Sequence, residues 1–398
     1  MPLETFPPTR QAALKRVSTV RPSDYARSRN AIEGAVTGLS PYITHGLLSL
    51  PEVLAGVTAK HSLDVQHKFV FELGWREYFR HVWAFRGEGI FESLREGLLP
   101  QAAYSALLPA DIRQAATGVP VIDTAVRNLY ATGYLHNHAR MWLASYVVHV
   151  RKVHWRLAAD WLYGHLLDGD LASNHLSWQW VSGTGSHKPY LFNADNVAFY
   201  APELWHSPET VIDKAMDIID MIARSRATFT QSLSKFAPVE EPILHVQPPA
   251  VAGLVASGLA GEKLLGRDVW WIHPWAITDK IPHELPSEVV RIAACWQGWT
   301  EQHPWSEARW RFVGKGMNDV ASHCWFESDE RLIAMFASAQ SVHVWDHACL
   351  PDWPNINWVR HAAPRLWQRQ TERSPSFSHW WGRVNRYKQS IPQLLRSR

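Results

Sequence analysis

Three stretches of this chain carry polar and aromatic side chains three or four positions apart, the spacing that sets them on one face of a helix. Glu72, Trp75 and Arg76 form the first set, Asn137, Arg140 and Met141 the second, and Asn174, Trp178 and the adjoining Trp180 the third. Singly, each set has an ordinary explanation: Glu72 and Arg76 as an i,i+4 ion pair, Asn174 as a helix cap. A fourth stretch, Ala35 to Tyr42, is small and hydroxylated and leads through Ile43-Thr44-His45-Gly46 into a helix. Hydroxyls plus free backbone N–H groups at a helix entry make a phosphate cradle, and an ordinary Ser-Pro helix start is the alternative. The stretch is neither a Walker A loop nor a GxGxxG fingerprint, so neither a P-loop nucleotidase nor a Rossmann dehydrogenase is supported.

Helical patterning dominates residues 1–235. Apolar positions recur so densely over 65–86 that this helix is expected to be buried nearly all round. Helices are also predicted over 121–132, stopped by Gly133, over 135–151, over 155–167, and from Pro208 through Ile222. Near Phe236 the character changes. Residues 237–266 carry four prolines and four glycines, the mark of a linker. Beyond it, short apolar strands at 268–273, 289–296 and 341–345 alternate with helical stretches at 305–324 and 330–339, implying a small parallel sheet. The expected organisation is therefore a mainly α chain: a helical domain over 1–236, a linker over 237–267, a small α/β domain over 268–350 and a basic aromatic tail over 351–398.

At 398 residues with 46% hydrophobic and 19% charged positions, a substantial core is expected. The three cysteines exclude a disulfide scaffold and fall one short of a four-cysteine metal or iron–sulfur site, so no metal is expected. No apolar run approaches the roughly 20 residues that span a bilayer, and the N-terminus lacks a signal-peptide apolar region, so no membrane partner and a cytoplasmic location are expected. The 22 tryptophans imply dense helix packing, ring-stacking surfaces, or both. Net charge is only +3, yet residues 360–398 hold nine Arg or Lys against one acid, Glu372. With Trp367, Trp380, Trp381 and Tyr387 among them, this tail has the mix expected at a phosphate backbone, a solvated basic helix being the alternative.

Taken together and in order, these segments resemble the flavin-binding helical domain of the photolyase/cryptochrome family. The phosphate-binding segment of that family resembles Val36-Thr37-Gly38-Leu39-Ser40-Pro41-Tyr42-Ile43, with Tyr25 and Arg29 upstream. Its ELxWREFYRH helix is similar to Glu72 through His81, its TGxPxxDAAMRQLxxTGWMHNRxRM run to Thr117 through Met141, and its DGDLAxNxxxWQW run to Asp168 through Trp180. The resemblance covers about residues 20–235. It implies one non-covalent FAD, active as the reduced anion, held by Tyr25, Val36, Thr37, Leu39, Ser40, Phe69, Arg76, Arg140, Asp168, Asp170 and Asn174. Arg140 and Asp168 would flank the isoalloxazine and Asn174 would face its N5. Trp178 and then Trp155 would pass electrons inward. Glu72, Trp75, Asn137, Met141 and Trp180 would form the catalytic recess for a cyclobutane pyrimidine dimer flipped out of UV-damaged DNA. The implied protein is a monomeric, light-dependent deoxyribodipyrimidine photolyase, with a cryptochrome-like light sensor lacking repair as the alternative.

The chain also departs from that pattern. No tryptophan falls in residues 98–113, where the distal electron carrier belongs, and Tyr104 is the only aromatic candidate. His138 stands where many relatives carry arginine, weakening an expected phosphate contact. Asp268 to Trp345 resembles a shortened antenna-domain sheet placed C-terminally, so no tightly bound antenna chromophore is expected. Repair of (6-4) photoproducts is disfavoured by Asn137, where animal-type members carry histidine, and by the cysteine count.

Overall fold

A computed structural model of the chain describes residues 5–231, 236–285, 288–386 and 390–396. Tyr387, Lys388 and Arg398 of the basic tail lie outside the described residues. Five helices position the site. Helix α1, Lys68–Arg86, starts where the His67 side chain accepts a bond from the Phe69 N–H, and stops at Gly87 with φ of 51°. It buries Phe69, Leu73, Gly74, Glu77, Tyr78, His81 and Trp83, so apolar density does translate into burial on most sides. Helix α2, Pro120–Thr132, ends on left-handed Gly133, as its sequence predicts. Helix α4, Trp155–His165, and helix α5, Leu171–Ser182, pack against each other, with Asp170 capping α5.

The helix expected over 135–151 is interrupted. Helix α3, Asn137–Ser145, begins only after His136, whose side chain caps it, and passes into a π turn at Tyr146–Val150. Lys152, with a left-handed φ of 53°, ends the run, its Nζ donating to the carbonyls of His149, Ile222 and Ala223 at 2.6, 2.8 and 2.9 Å. No helix opens at Pro208 either. Glu209 sits at φ 59° with its N–H on Asp213, giving turns, and the helix proper is Met216–Arg224.

The C-terminal sheet has five parallel strands where three were expected. In chain order they are β1 Asp268–Ile272, β2 Val290–Trp296, β3 Cys324–Glu327, β4 Ser341–Trp345 and β5 Trp358–His361, arranged β3-β2-β1-β4-β5. Cys324 therefore opens a strand rather than closing a helix. The helix is α6, Glu307–Val320, and Trp305–Ser306 instead pairs antiparallel with Leu244–His245 from the stretch read as a linker. Strand β5 lies within the stretch read as tail. Its four residues, half-buried at the sheet edge, carry too little apolar pattern to announce a strand.

The tryptophan load is mostly core. Trp270, Trp271, Trp296, Trp305, Trp310 and Trp353 are buried around the sheet, with Trp271 and Trp353 stacked at 5.8 Å and 15°. Trp367, Trp380 and Trp381 of the tail are buried too. That corrects the expectation of exposed stacking surfaces: their faces are spent on each other and on α1.

Helix Leu50–Thr58 is joined to the α/β part by Glu52, which accepts from Arg10 at 2.5 Å, from Ser49, and from Lys280. Burial pushes its carboxyl up, but the bonds from Lys280, Ser49 and Arg10 outweigh this and bring it down to about 2. A depressed folded pKa contributes stability present above the unfolded value near 4.5 and lost as pH falls toward 2. Replacing Glu52 with Gln should therefore lower the unfolding temperature at pH 7 and flatten its fall between pH 5 and pH 2, read by thermal melts across that range.

Candidate functional site

Helices α1, α3, α4 and α5 and the hydroxylated segment enclose a cavity of about 450 Å³. Fifteen of the eighteen predicted site residues line it: Tyr25, Val36, Thr37 and Ser40; Glu72, Trp75 and Arg76; Asn137, Arg140 and Met141; Asp168 and Asp170; Asn174, Trp178 and Trp180. Three segments far apart in sequence thus converge as their one-face spacing requires. Leu39, Phe69 and Trp155 are not in its wall. Leu39 is 2% exposed and packs in the core, because the turn that brings Thr37 and Ser40 to the cavity points it inward. Phe69 lies behind Tyr25, edge-on to its ring at 5.7 Å and 86°. Trp155 is buried behind the wall and borders a second cavity with Tyr104 and His154. There the rings of Trp155 and His154 are 5.8 Å apart, and those of His154 and Tyr104 6.4 Å.

Charge concentrates on the floor. Arg140 Nη2 donates to both oxygens of Asp168, at 2.9 and 2.8 Å, and its Nε donates to the Leu135 carbonyl at 2.8 Å. Burial raises the Asp168 carboxyl, and the Arg140 guanidinium more than reverses that, so it stays charged well below neutrality. Asp170 is likewise held down against burial by Arg76 and Arg80, and it accepts the Ser173 N–H at 2.8 Å. Arg76 also donates to Thr44 at 3.1 Å. Asn174 commits its Nδ2 to the Ala159 carbonyl at 2.8 Å.

The upper wall is aromatic. Phe377 lies flat on Trp75, with centroids 4.0 Å apart and planes 8° apart. Trp180 is 39% exposed and stacked on Tyr190 at 5.9 Å. Glu72 sits between Lys68 at 3.0 Å and Arg29 at 3.6 Å rather than on Arg76. Asn137 Nδ2 approaches Met141 Sδ at 3.5 Å. His138, read as a weakened phosphate contact, is buried instead: it bonds the Asn30 carbonyl at 2.7 Å and the Tyr190 hydroxyl at 3.0 Å, fixing the ring behind Trp180. Burial lowers its pKa, so it is neutral at pH 7.

The site also contains residues that the sequence reading did not single out. Tyr134, Phe79, Ser173 and Ser177 line the cavity; Ser177 could have been found, being one turn from Asn174. Arg309 of α6 carried no signal at all. It is fully buried, donates to the Tyr163 and Gly169 carbonyls at 3.1 and 2.6 Å, and stacks over Tyr163 and Trp305. A cation from the α/β part thus grips the residue between Asp168 and Asp170.

Cations, hydroxyls and indole walls in one cavity suit an elongated ligand with a phosphate end and a flat aromatic end, and comparison with known proteins agrees. Residues 69–212 match the family described as the FAD binding domain of DNA photolyase. Over this region the chain is similar to members of the photolyase/cryptochrome family. It is 32% identical over 174 residues to a deoxyribodipyrimidine photo-lyase of Synechococcus, covering 41% of this chain and 36% of that protein. It is 30% identical over 200 residues to a cryptochrome DASH of Oryza sativa, covering 45% of this chain and 34% of that protein. A solved Synechocystis cryptochrome shares 28% identity over 48% of this chain and 43% of its own, with a TM-score of 0.43. The chain spans little more than a third of these two curated relatives' length. The photolyase-type match takes in Glu72 through Trp180 but not the Val36–Ser40 segment or the five-stranded sheet.

Proposed function

We propose that this cavity binds FAD and that the protein is a light-dependent deoxyribodipyrimidine photolyase acting on cyclobutane pyrimidine dimers in UV-damaged DNA. What carries the reading is one cavity holding both the Arg140–Asp168 floor and an aromatic recess between Trp75 and Trp180. FAD, when bound, supplies a light-excited electron donor; the protein supplies position and polarity. Thr37, Ser40 and Arg76 would hold the phosphate end, and Arg140, neutralised by Asp168 on one side, would present its remaining N–H groups to the ring system. Asn174, oriented by the bond from its Nδ2 to the Ala159 carbonyl, would offer its carbonyl oxygen. Trp75 and Trp180 would sandwich two fused bases and exclude water, while Glu72, Asn137 and Met141 read their edges. Trp178, in the wall, and Trp155, behind it, would relay electrons toward the ring.

On this reading the protein works as a monomer in the cytoplasm with its flavin reduced. It would carry no antenna chromophore. The crevice beyond the strand ends, where open α/β sheets hold ligands, is occupied by Trp275 against Trp299 at 4.6 Å and against His347 at 5.3 Å.

Illuminating reduced protein with a dimer-containing oligonucleotide, beside a dark control, tests the proposal. Loss of the dimer only in light is expected. Tight FAD with photoreduction but no repair would instead support a cryptochrome-like sensor. Replacing Glu72 with Ala removes a charged hydrogen-bond partner and should lower repair about tenfold at limiting DNA while FAD stays bound.

A further inference from the structure

Several exposed arginines lie in the C-terminal segment, whose placement is fixed. Glu77 of α1 accepts the N–H groups of Leu366 and Trp367 at 2.6 and 3.3 Å, and His81 accepts that of Ser374 at 3.2 Å. Phe377 lies on Trp75, and Trp381 covers Gly74 so closely that a Cβ there would collide with its ring. The segment is therefore fastened along α1 over residues 74–81, about 10 Å of helix. Its apolar side chains, Leu366, Trp367, Phe377 and Trp380, all point inward. Arg365, Arg369 and Arg373 are exposed and form no ion pair among the described residues, although Arg365 lies close enough to Glu77 to pull its carboxyl down against burial. Arg383 is paired with Glu372 at 3.0 Å and Arg360 with Asp352 at 2.7 Å, whereas Arg386 is exposed without an ion pair among the described residues.

We propose that Arg365, Arg369 and Arg373 form a docking rail for the sugar–phosphate backbone of the DNA strand whose damaged bases enter the recess. This rests on the photolyase reading and gives it a partner surface outside the region that matches the family. Three like charges held at fixed positions repel one another, a cost that bound phosphates relieve. Because the backbone beneath them is anchored, little ordering entropy opposes binding. The segment that carries the rail meets the recess residue Trp75 through Phe377. A lipid surface fits less well: the segment's aromatic rings are buried and offer nothing to insert.

The test is the salt dependence of binding of the full chain to an undamaged duplex, for wild type and for Arg365→Ala/Arg369→Ala/Arg373→Ala. Each lost phosphate contact should reduce the slope of log K against log salt by about 0.9, so a fall of about 2–3 is expected, with affinity at low salt down more than tenfold. FAD absorbance and dimer cleavage at saturating DNA should be unchanged. Arg369→Glu alone should move the slope in the same direction. An unchanged slope in the triple variant overturns the rail, as does loss of binding to anionic vesicles with the DNA slope intact. A reduced slope in a protein that repairs nothing in light keeps the rail and rejects the photolyase reading; repair with an unchanged slope does the reverse.

Discussion

Replacing Arg140 with Met is expected to abolish stable flavin binding and to cost about 3–5 kcal/mol of folding stability, the typical penalty for stranding one member of a buried ion pair. The side chain of Asp168 is 4% exposed and takes two hydrogen bonds from Arg140. Without that cation the carboxylate either stays charged in a dry floor or takes up a proton. The pH dependence shows which contribution is lost. The depressed folded pKa of Asp168 gives wild type stability above the unfolded value, about 3.9, which disappears as pH falls through the lower folded value. The variant should lose that acid limb, so its melting temperature changes less below pH 4. Adding Asp168→Asn to Arg140→Met should restore part of the stability without restoring flavin. Calorimetry and the visible spectrum of the purified protein read the two effects separately.

Replacing Trp75 with Ala is expected to weaken binding of dimer-containing DNA about 5- to 150-fold, from the roughly 1–3 kcal/mol that stacking a base on an aromatic ring contributes. Flavin occupancy should be retained, since the floor at Arg140 and Asp168 is untouched. The same change uncovers Phe377, whose flat contact at 4.0 Å is lost, so a modest fall in melting temperature should accompany it. Trp75→Phe keeps a ring on both faces and should recover most of the affinity. Equal loss of binding to undamaged and damaged DNA would count against a recess that recognises the lesion.

The helical half was readable because its chemistry follows helix periodicity. Glu72, Trp75 and Arg76 share a face of α1 because i+3 and i+4 do, and Asn174, Trp178 and Ser177 likewise on α5. Where the reading failed, tertiary contacts decided. The π turn at Tyr146–Val150 answers to Lys152 reaching carbonyls of residues 222 and 223, which no local pattern encodes. Phe69 shares the face of Glu72 but is screened from the cavity by Tyr25, and Leu39 is turned into the core by the segment that presents Thr37 and Ser40. Strand β5 carries too little apolar pattern to stand out beside its partner β4, and the stapled segment after it shows its charge but not its partners, Glu77 and His81, which lie nearly 300 positions upstream.

Arg309 changes what the two halves of the molecule are to each other. Its guanidinium fills a slot whose lining is the Tyr163 and Gly169 carbonyls on one side and Trp305 on the other. Withdrawn from that slot, it would leave two oxygens facing a void and the turn between the floor's carboxylates unsupported. The sheet-bearing half is thus no detachable accessory: a fragment ending before it would inherit the family's motifs yet lack the keystone that keeps them in shape.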